Sequence, residues 1–226
     1  DLTNLKAAYI TVYSELHRKL ALTAGGDDQR QRLYRDPRLE SLKALSAIDL
    51  LSRGGELEVW KNQLTGLLSC REFHDGVLSN SPTCPYCHLR PAQRMAAPNA
   101  DQTVRLLDDR LSAILKNWRQ SLRTNLQSET AKQSLEAMSQ AEKRPIDLFL
   151  TQSDDEETLP AGFVQAAIQA LRGIQAVTLT VTELIEAIKN GGLPCTREEL
   201  LARFKVFLDG KMRGHDAGNT RLTLDQ

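Results

Sequence analysis

Three cysteines lie close together in the chain, in the stretch CREFHDGVLSNSPTCPYCHLRP that begins at Cys70. Cys84 and Cys87 have the C-x2-C spacing that supplies two ligands of a tetrahedral zinc site from one tight turn. Cys70 can supply a third ligand from the preceding segment. Because such a site forms only when all of its ligands meet at one point, this cluster constrains the fold more than any other feature of the sequence.

Two histidines compete for the fourth position of this site. His74 follows Cys70 by four residues, and the two side chains share one face if the preceding helix continues that far. His88 directly follows Cys87, and adjacent side chains point apart, so His88 is the weaker candidate. The predicted ligands are Cys70, His74, Cys84 and Cys87, with His88 as the rival fourth ligand. Because protein would fill all four positions, the zinc is predicted to be structural.

The pentapeptide C-P-Y-C-H admits other chemistry. C-P-Y-C resembles the dithiol of a glutaredoxin, which makes a dithiol oxidoreductase using Cys84 and Cys87 the enzymatic alternative. C-x-x-C-H is also the pattern of a c-type haem attachment site. A C-P-x-C turn is similar to the zinc hook of a class of coiled-coil ATPases in which two chains share one ion, so a zinc-bridged homodimer is a further alternative. Buried free thiols without a metal stay open as well.

No functional role is predicted for His17 or Cys195. His17 lies beside Leu16 and Leu20 on the first predicted helix and is interpreted as an ordinary histidine of the core or its edge. Cys195 precedes a predicted helix without a histidine partner, so it is interpreted as structural. No catalytic residue is predicted.

Apolar residues repeat every three or four positions through most of the first 150 residues, which predicts amphipathic helices. The clearest stripes are Leu5, Tyr9, Val12, Leu16 and Leu20; Leu39, Leu42, Leu45 and Ile48; Leu57, Trp60, Leu64 and Leu67, running up to Cys70; and Val104, Leu107, Leu111, Ile114 and Trp118. We therefore predict a mostly α fold, a helical bundle or antiparallel helical hairpin with the zinc-binding knuckle at its turn. This helical domain is expected to span residues 1–150.

The character of the sequence changes after residue 150. Residues 151–158 (TQSDDEET) are polar and acidic and predict a linker. Residues 159–226 predict helix, strand, helix, helix and strand, an order that matches a small winged-helix-like α/β module. Such modules bind DNA or proteins, and Arg197, Arg203 and Lys205 are the weak candidates for nucleic-acid contact.

Net charge, hydropathy and the absence of one motif each argue against a class of function for this chain. The chain carries 29 basic and 29 acidic side chains, so its net charge provides no general attraction for nucleic acid. No apolar run approaches the ~20 residues that span a bilayer. No G-x-x-x-x-G-K-[ST] motif occurs, so no nucleotide-binding site is predicted in this chain.

Several positions resemble a known family. The stretch N-S-P-T-C-P-Y-C-H-L-R-P and the ending T-R-E-E-L…R-F…F-L…N-T-R-L are similar to the C-terminal region of the large P-loop ATPase-like proteins of bacterial phage-exclusion (BREX) systems, of the PglY and BrxC type. The resemblance implies a bacterial cytoplasmic protein of antiviral defence whose ATPase lies upstream of this chain. It assigns no ligand or nucleotide-binding role to individual residues here.

These observations predict a non-catalytic fragment rather than an enzyme. We expect a zinc-stabilised scaffold that presents a rigid surface to other protein subunits of a defence complex, with DNA as a candidate partner and no membrane association.

Overall fold

The computed structural model of the chain describes residues 1–52, 55–90, 98–216 and 220–225. The helices are α1 (Leu2–Leu20), α2 (Ala24–Leu33), α3 (Pro37–Leu45), α4 (Asp49–Ser52), α5 (Glu56–Thr65), α6 (Ala100–Leu126), α7 (Glu129–Glu136), α8 (Gln140–Thr151), α9 (Phe163–Ala170), α10 (Val181–Lys189) and α11 (Arg197–Lys211), with a 3-10 helix at Asp75–Ser79. The strands are β1 (Ala21–Leu22), β2 (Leu68–Ser69), β3 (Gln175–Thr180) and β4 (Thr220–Asp225). The fold is mostly helical, as the sequence predicted.

The chain divides into two compact units. Unit 1 contains Asp1–Leu39 and Glu58–Ala113, and unit 2 contains Glu40–Leu57 and Ile114–Gln226. All three clustered cysteines belong to unit 1. No helix in the described part of the chain combines the length and the apolar character needed to cross a lipid bilayer.

Helix α1 buries only the end of its predicted leucine stripe, at Leu20, together with a neighbouring polar and aromatic face. Leu5 is 68% exposed and Val12 is exposed as well. The buried residues are Tyr13, Ser14, His17 and Leu20. The stripe predicted packing against other bundle helices, whereas α1 packs its second half against the cysteine segment, so polar and aromatic side chains occupy its inner face.

A short parallel pairing of strands brings the cysteine segment to the end of α1. Helix α5 ends at Thr65, before Gly66, so the helix predicted to continue to Cys70 stops short. The chain then forms β2, which pairs in parallel with β1, with Ala21 opposite Leu68. Because β1 directly follows α1 and Cys70 directly follows β2, this pairing places Cys70 beside the C-terminal end of α1.

Helix α6 follows its predicted pattern closely. The side chain of Asn99 caps it, accepting a hydrogen bond from the Gln102 N–H at 3.0 Å. The predicted stripe is buried at Val104, Leu107, Leu111, Ile114 and Trp118, and the buried Leu122 and Leu126 follow it. In unit 1, the buried Trp60 of α5 donates its indole N–H to the Leu107 carbonyl at 2.7 Å, which joins the two helices.

The acidic segment predicted as a linker lies against α6 within unit 2. Asp154 forms an ion pair of 2.7 Å with Arg123. Arg119, which is fully buried, donates to the carbonyl oxygens of Ser153 and Thr158. These contacts satisfy backbone carbonyls that a solvated linker would leave to water.

The C-terminal part of unit 2 has the predicted order of elements: α9, β3, α10, α11 and β4. Strands β3 and β4 pair in parallel, with Gln175 opposite Thr220 and Thr180 opposite Asp225. Capping boxes begin both intervening helices, at Thr180 with Glu183 and at Thr196 with Glu199.

Candidate metal centre

Four side chains of unit 1 converge on one point. Ligand atoms of His17, Cys70, Cys84 and Cys87 all lie within 4.8 Å of one another. The Nε2 atom of His17 is 3.2 Å from Cys87 Sγ. The Sγ atoms of Cys70 and Cys84 are 3.7 Å apart. Three separate elements contribute to the cluster: α1, the end of β2, and the knuckle at residues 84–88.

These separations fit one tetrahedral ion. With metal–sulfur bonds of about 2.3 Å, as in zinc–thiolate sites, two sulfur atoms at corners of a tetrahedron lie about 3.8 Å apart. The separation of 3.7 Å between Cys70 and Cys84 matches that edge. A disulfide would bring the sulfurs to about 2.05 Å, and all four cysteines of the chain are free thiols. The four residues can therefore hold a metal ion.

The local sequence builds the knuckle that presents two of the thiols. Pro85 and Tyr86 form a turn, closed by a 2.9 Å hydrogen bond from the His88 N–H to the Cys84 carbonyl. His88 adopts a left-handed conformation with φ of 52°, which a residue with a Cβ rarely enters. This geometry directs the thiols of Cys84 and Cys87 to the same side of the turn.

Burial and hydrogen bonding set the protonation of the thiols. Burial raises the pKa of Cys87 to about 12, and the neighbouring thiols of Cys84 and Cys70 add to the shift. Burial raises the pKa of Cys70 too. At Cys84, burial also opposes ionisation, but the backbone N–H groups of Cys87 and Tyr86 outweigh it and the pKa is lowered. Crowded thiols of this kind become thiolates together only when a cation neutralises their charge.

His17, the fourth candidate ligand, is held in the form that a metal binds. His17 is 2% exposed, and burial, followed by the charge of Arg18, lowers the pKa of its imidazole. Neutral imidazole is the form that coordinates metals. Phe73 stacks on the His17 ring with centroids 3.7 Å apart and planes inclined by 14°. This stacking restrains the ring orientation.

Ion pairs fix the chain next to Cys70. Arg71 donates to the carboxylates of Asp27 and Asp28, and Arg30 donates to Asp27 as well. Burial acts to raise the pKa of Asp27, but hydrogen bonds from Arg71 and Ser69 and the charge of Arg30 lower it overall. Helix α2 therefore holds the residue that follows Cys70.

The predicted ligand His74 lies outside the cluster. The prediction assumed a helix through Cys70, and that assumption is wrong, because the chain leaves β2 and His74 adopts an extended conformation before the 3-10 helix. His74 is exposed, and its ring lies near Gly76. The rival His88 is exposed too. Without the helix, the role predicted for His74 loses its geometric basis.

Sequence reasoning missed His17 because nothing in its spacing identifies it. It lies on another helix, far from the cysteines in sequence, and is one of several residues on an apparently ordinary amphipathic face. The sequence contains one weak indication that this part of α1 faces inward. Tyr13 and His17 are polar residues one turn apart, and they lie on the face that the leucine stripe leaves free.

The three predicted nucleic-acid contacts of the C-terminal part differ in their surroundings. Arg203 donates to the carbonyl oxygens of Ile188, Gly191 and Gly192, and so closes the turn between α10 and α11. Arg197 and Lys205 are exposed on α11.

A family model matches the middle of the chain. Residues 25–117 match the sixth domain of a family of unknown function, DUF6079. The match covers less than half of the chain and includes the three clustered cysteines, whereas His17 lies before it. No curated protein matches the chain. No solved structure matches it either.

Proposed function

We propose that this chain is a non-catalytic scaffold stabilised by one structural zinc ion, bound by His17, Cys70, Cys84 and Cys87. The observation that carries the proposal is the convergence of these four ligand atoms within 4.8 Å. A bound ion would tie α1, the end of β2 and the knuckle together. Segments without a regular hydrogen-bonded structure of their own would thereby become a rigid surface.

Zinc suits this ligand set better than other common ions. Three thiolates and one imidazole in a tetrahedron form a typical structural zinc site, whereas magnesium and calcium require oxygen ligands. Protein atoms would fill all four positions, which leaves no bound water to activate and favours a structural role over a catalytic one. One chain supplies the full set, which favours one zinc per chain over an ion shared by two copies.

The biological setting of the proposal rests on the resemblance of the knuckle and the C-terminal residues to BREX proteins of the PglY and BrxC type. On that basis the chain is part of a bacterial cytoplasmic defence ATPase, and its surface binds other protein subunits of the complex. The family match supports the view that residues 25–117 are a domain that also occurs in other proteins. It assigns no activity to that domain.

Two observations weigh against the alternative functions. Cys84 is fully buried, and a dithiol oxidoreductase requires a nucleophilic thiol that its substrate can reach. Arg203, one of three candidate DNA contacts, already donates to three backbone carbonyls. DNA binding through the C-terminal module therefore depends on the remaining exposed charges of α11.

Elemental analysis of the purified chain tests the proposal, with Cys84→Ser as the variant and Cys195→Ser as the matched control. We expect about one zinc per chain in the wild type and in Cys195→Ser, because Cys195 lies outside the cluster. Cys84→Ser is expected to lose the zinc, together with much of its thermal stability. Wild-type protein that is free of metal and keeps its stability in a strong chelator would refute the zinc scaffold.

A further inference from the structure

One buried hydroxyl joins α1 to both ends of the knuckle. The Tyr13 side chain is 2% exposed. Its hydroxyl accepts a hydrogen bond of 2.8 Å from the Cys84 N–H. The same hydroxyl donates a hydrogen bond of 2.7 Å to the Leu89 carbonyl. Since Cys84 begins the turn and Leu89 follows it, this single group satisfies one backbone donor and one backbone acceptor that are buried with it.

The position of Tyr13 on α1 relates this hydroxyl to the metal ligand. Tyr13 and His17 are four residues apart and therefore lie on one face of the helix, one turn from each other. Phe73 lies near both rings, stacked on His17 and 6.1 Å from Tyr13 between centroids. The hydrogen bonds of this hydroxyl hold the knuckle next to α1. They therefore also bear on the distance between the Cys87 thiol and the His17 imidazole.

We propose that Tyr13 is the positioning residue of the metal centre. Its hydroxyl holds the turn of Cys84 and Cys87 against α1 at the separation that tetrahedral coordination with His17 requires. This inference rests on the proposed zinc site. Ligands held in place before the ion arrives lose less conformational freedom on binding. Groups that orient metal ligands through hydrogen bonds typically alter metal affinity by about 10- to 100-fold.

Tyr9 provides a matched control on the same helix. It lies one turn before Tyr13, and its hydroxyl also donates to a backbone carbonyl, that of Pro82. Tyr9 is 45% exposed, however, and Pro82 precedes the knuckle. Removing the Tyr9 hydroxyl therefore deletes a hydrogen bond of similar type without releasing the turn that carries the thiols.

The experiment compares Tyr13→Phe with Tyr9→Phe in the full chain. Zinc affinity is measured by competition with a chromophoric chelator, and ligand geometry by the visible absorption bands of the cobalt(II)-substituted protein. Tyr13→Phe is expected to lower zinc affinity about 10- to 100-fold and to shift or weaken the cobalt bands. Tyr9→Phe is expected to keep the wild-type affinity and spectrum. A loss of general stability alone would leave the cobalt spectrum of the folded protein unchanged.

Each result decides between the two proposals. Wild-type protein that binds neither ion overturns the zinc scaffold and this inference with it. Wild-type binding combined with an unchanged affinity and spectrum in Tyr13→Phe overturns the positioning role alone. If Tyr13→Phe does not fold, the rate of amide hydrogen exchange at Cys84 in the wild type decides. Slow exchange with and without zinc supports the positioning role. Exchange at the rate of an exposed amide overturns it.

Discussion

Replacing His17 by alanine removes the candidate ligand that only the structure reveals. Apparent binding free energies of structural zinc sites are about 10–16 kcal/mol, so one ligand of four accounts for about 2.5–4 kcal/mol if the contributions are equal. With about 1.4 kcal/mol for each tenfold change, the zinc affinity of His17→Ala should fall on the order of 100-fold or more. The substitution also deletes the ring stacked on Phe73, worth about 0.5–1.5 kcal/mol of folding free energy.

The assay separates these two effects. Zinc affinity is measured by chelator competition, and the free energy of unfolding is measured in urea with excess chelator, where the metal no longer contributes and only the loss of the buried ring and its stacking does. His74→Ala and His88→Ala serve as controls, since both histidines are exposed and lie outside the cluster. A tetrahedral site completed by His17 predicts unchanged zinc affinity in both. If His74→Ala abolished binding while His17→Ala left it intact, the reasoning from the four convergent atoms would be refuted.

Two further predictions concern folding. His88→Gly should keep zinc and raise the free energy of unfolding by about 0.5–1 kcal/mol, because glycine adopts the left-handed φ of 52° without strain; urea denaturation at fixed free zinc measures this. Hydrogen bonds from Arg38 lower the pKa of Asp36, so this carboxylate stabilises the fold above its unfolded pKa of about 3.9 and loses that effect as the pH falls. The stability difference between the wild type and Asp36→Asn should therefore shrink from pH 6 towards pH 3; a difference independent of pH would contradict the ion pair.

The three clustered cysteines could be predicted as candidate ligands from sequence because the geometry of their segment is local. The turn that presents Cys84 and Cys87 needs only the residues between and beside them, with proline fixing part of the backbone. Cys70 is close enough in sequence for its thiol to return to the same point. The spacing therefore identified the three thiols that the structure brings together.

The histidine that meets these thiols could not be predicted in the same way. The choice of His74 depended on a helix continuing through Cys70, and the chain forms β2 at that point because its partner β1 lies beside it. Strand pairing between residues 21 and 68 is a contact between segments distant in sequence. Local helix periodicity contains no information about it.

Helical periodicity predicted the buried face correctly for α6 and only in part for α1, and both outcomes have a physical reason. The stripe of α6 is buried along its whole length because apolar partners cover that face. On α1 the stripe is exposed at Leu5 and Val12 and buried only at its end, whereas Tyr13 and His17 face inward beside it. Periodicity predicts that a helix has an apolar face, but the surrounding elements decide which face is covered.

The sequence alone determined the mostly helical character, the order of elements in the C-terminal part, and the C-x2-C turn with a third thiol upstream. Each of these follows from backbone preferences and side-chain spacing within a short stretch of chain. Only the tertiary structure decided that His17 meets the thiols and that the Tyr13 hydroxyl bridges the knuckle. Those contacts depend on α1 packing against a segment more than fifty residues away, which no local preference specifies.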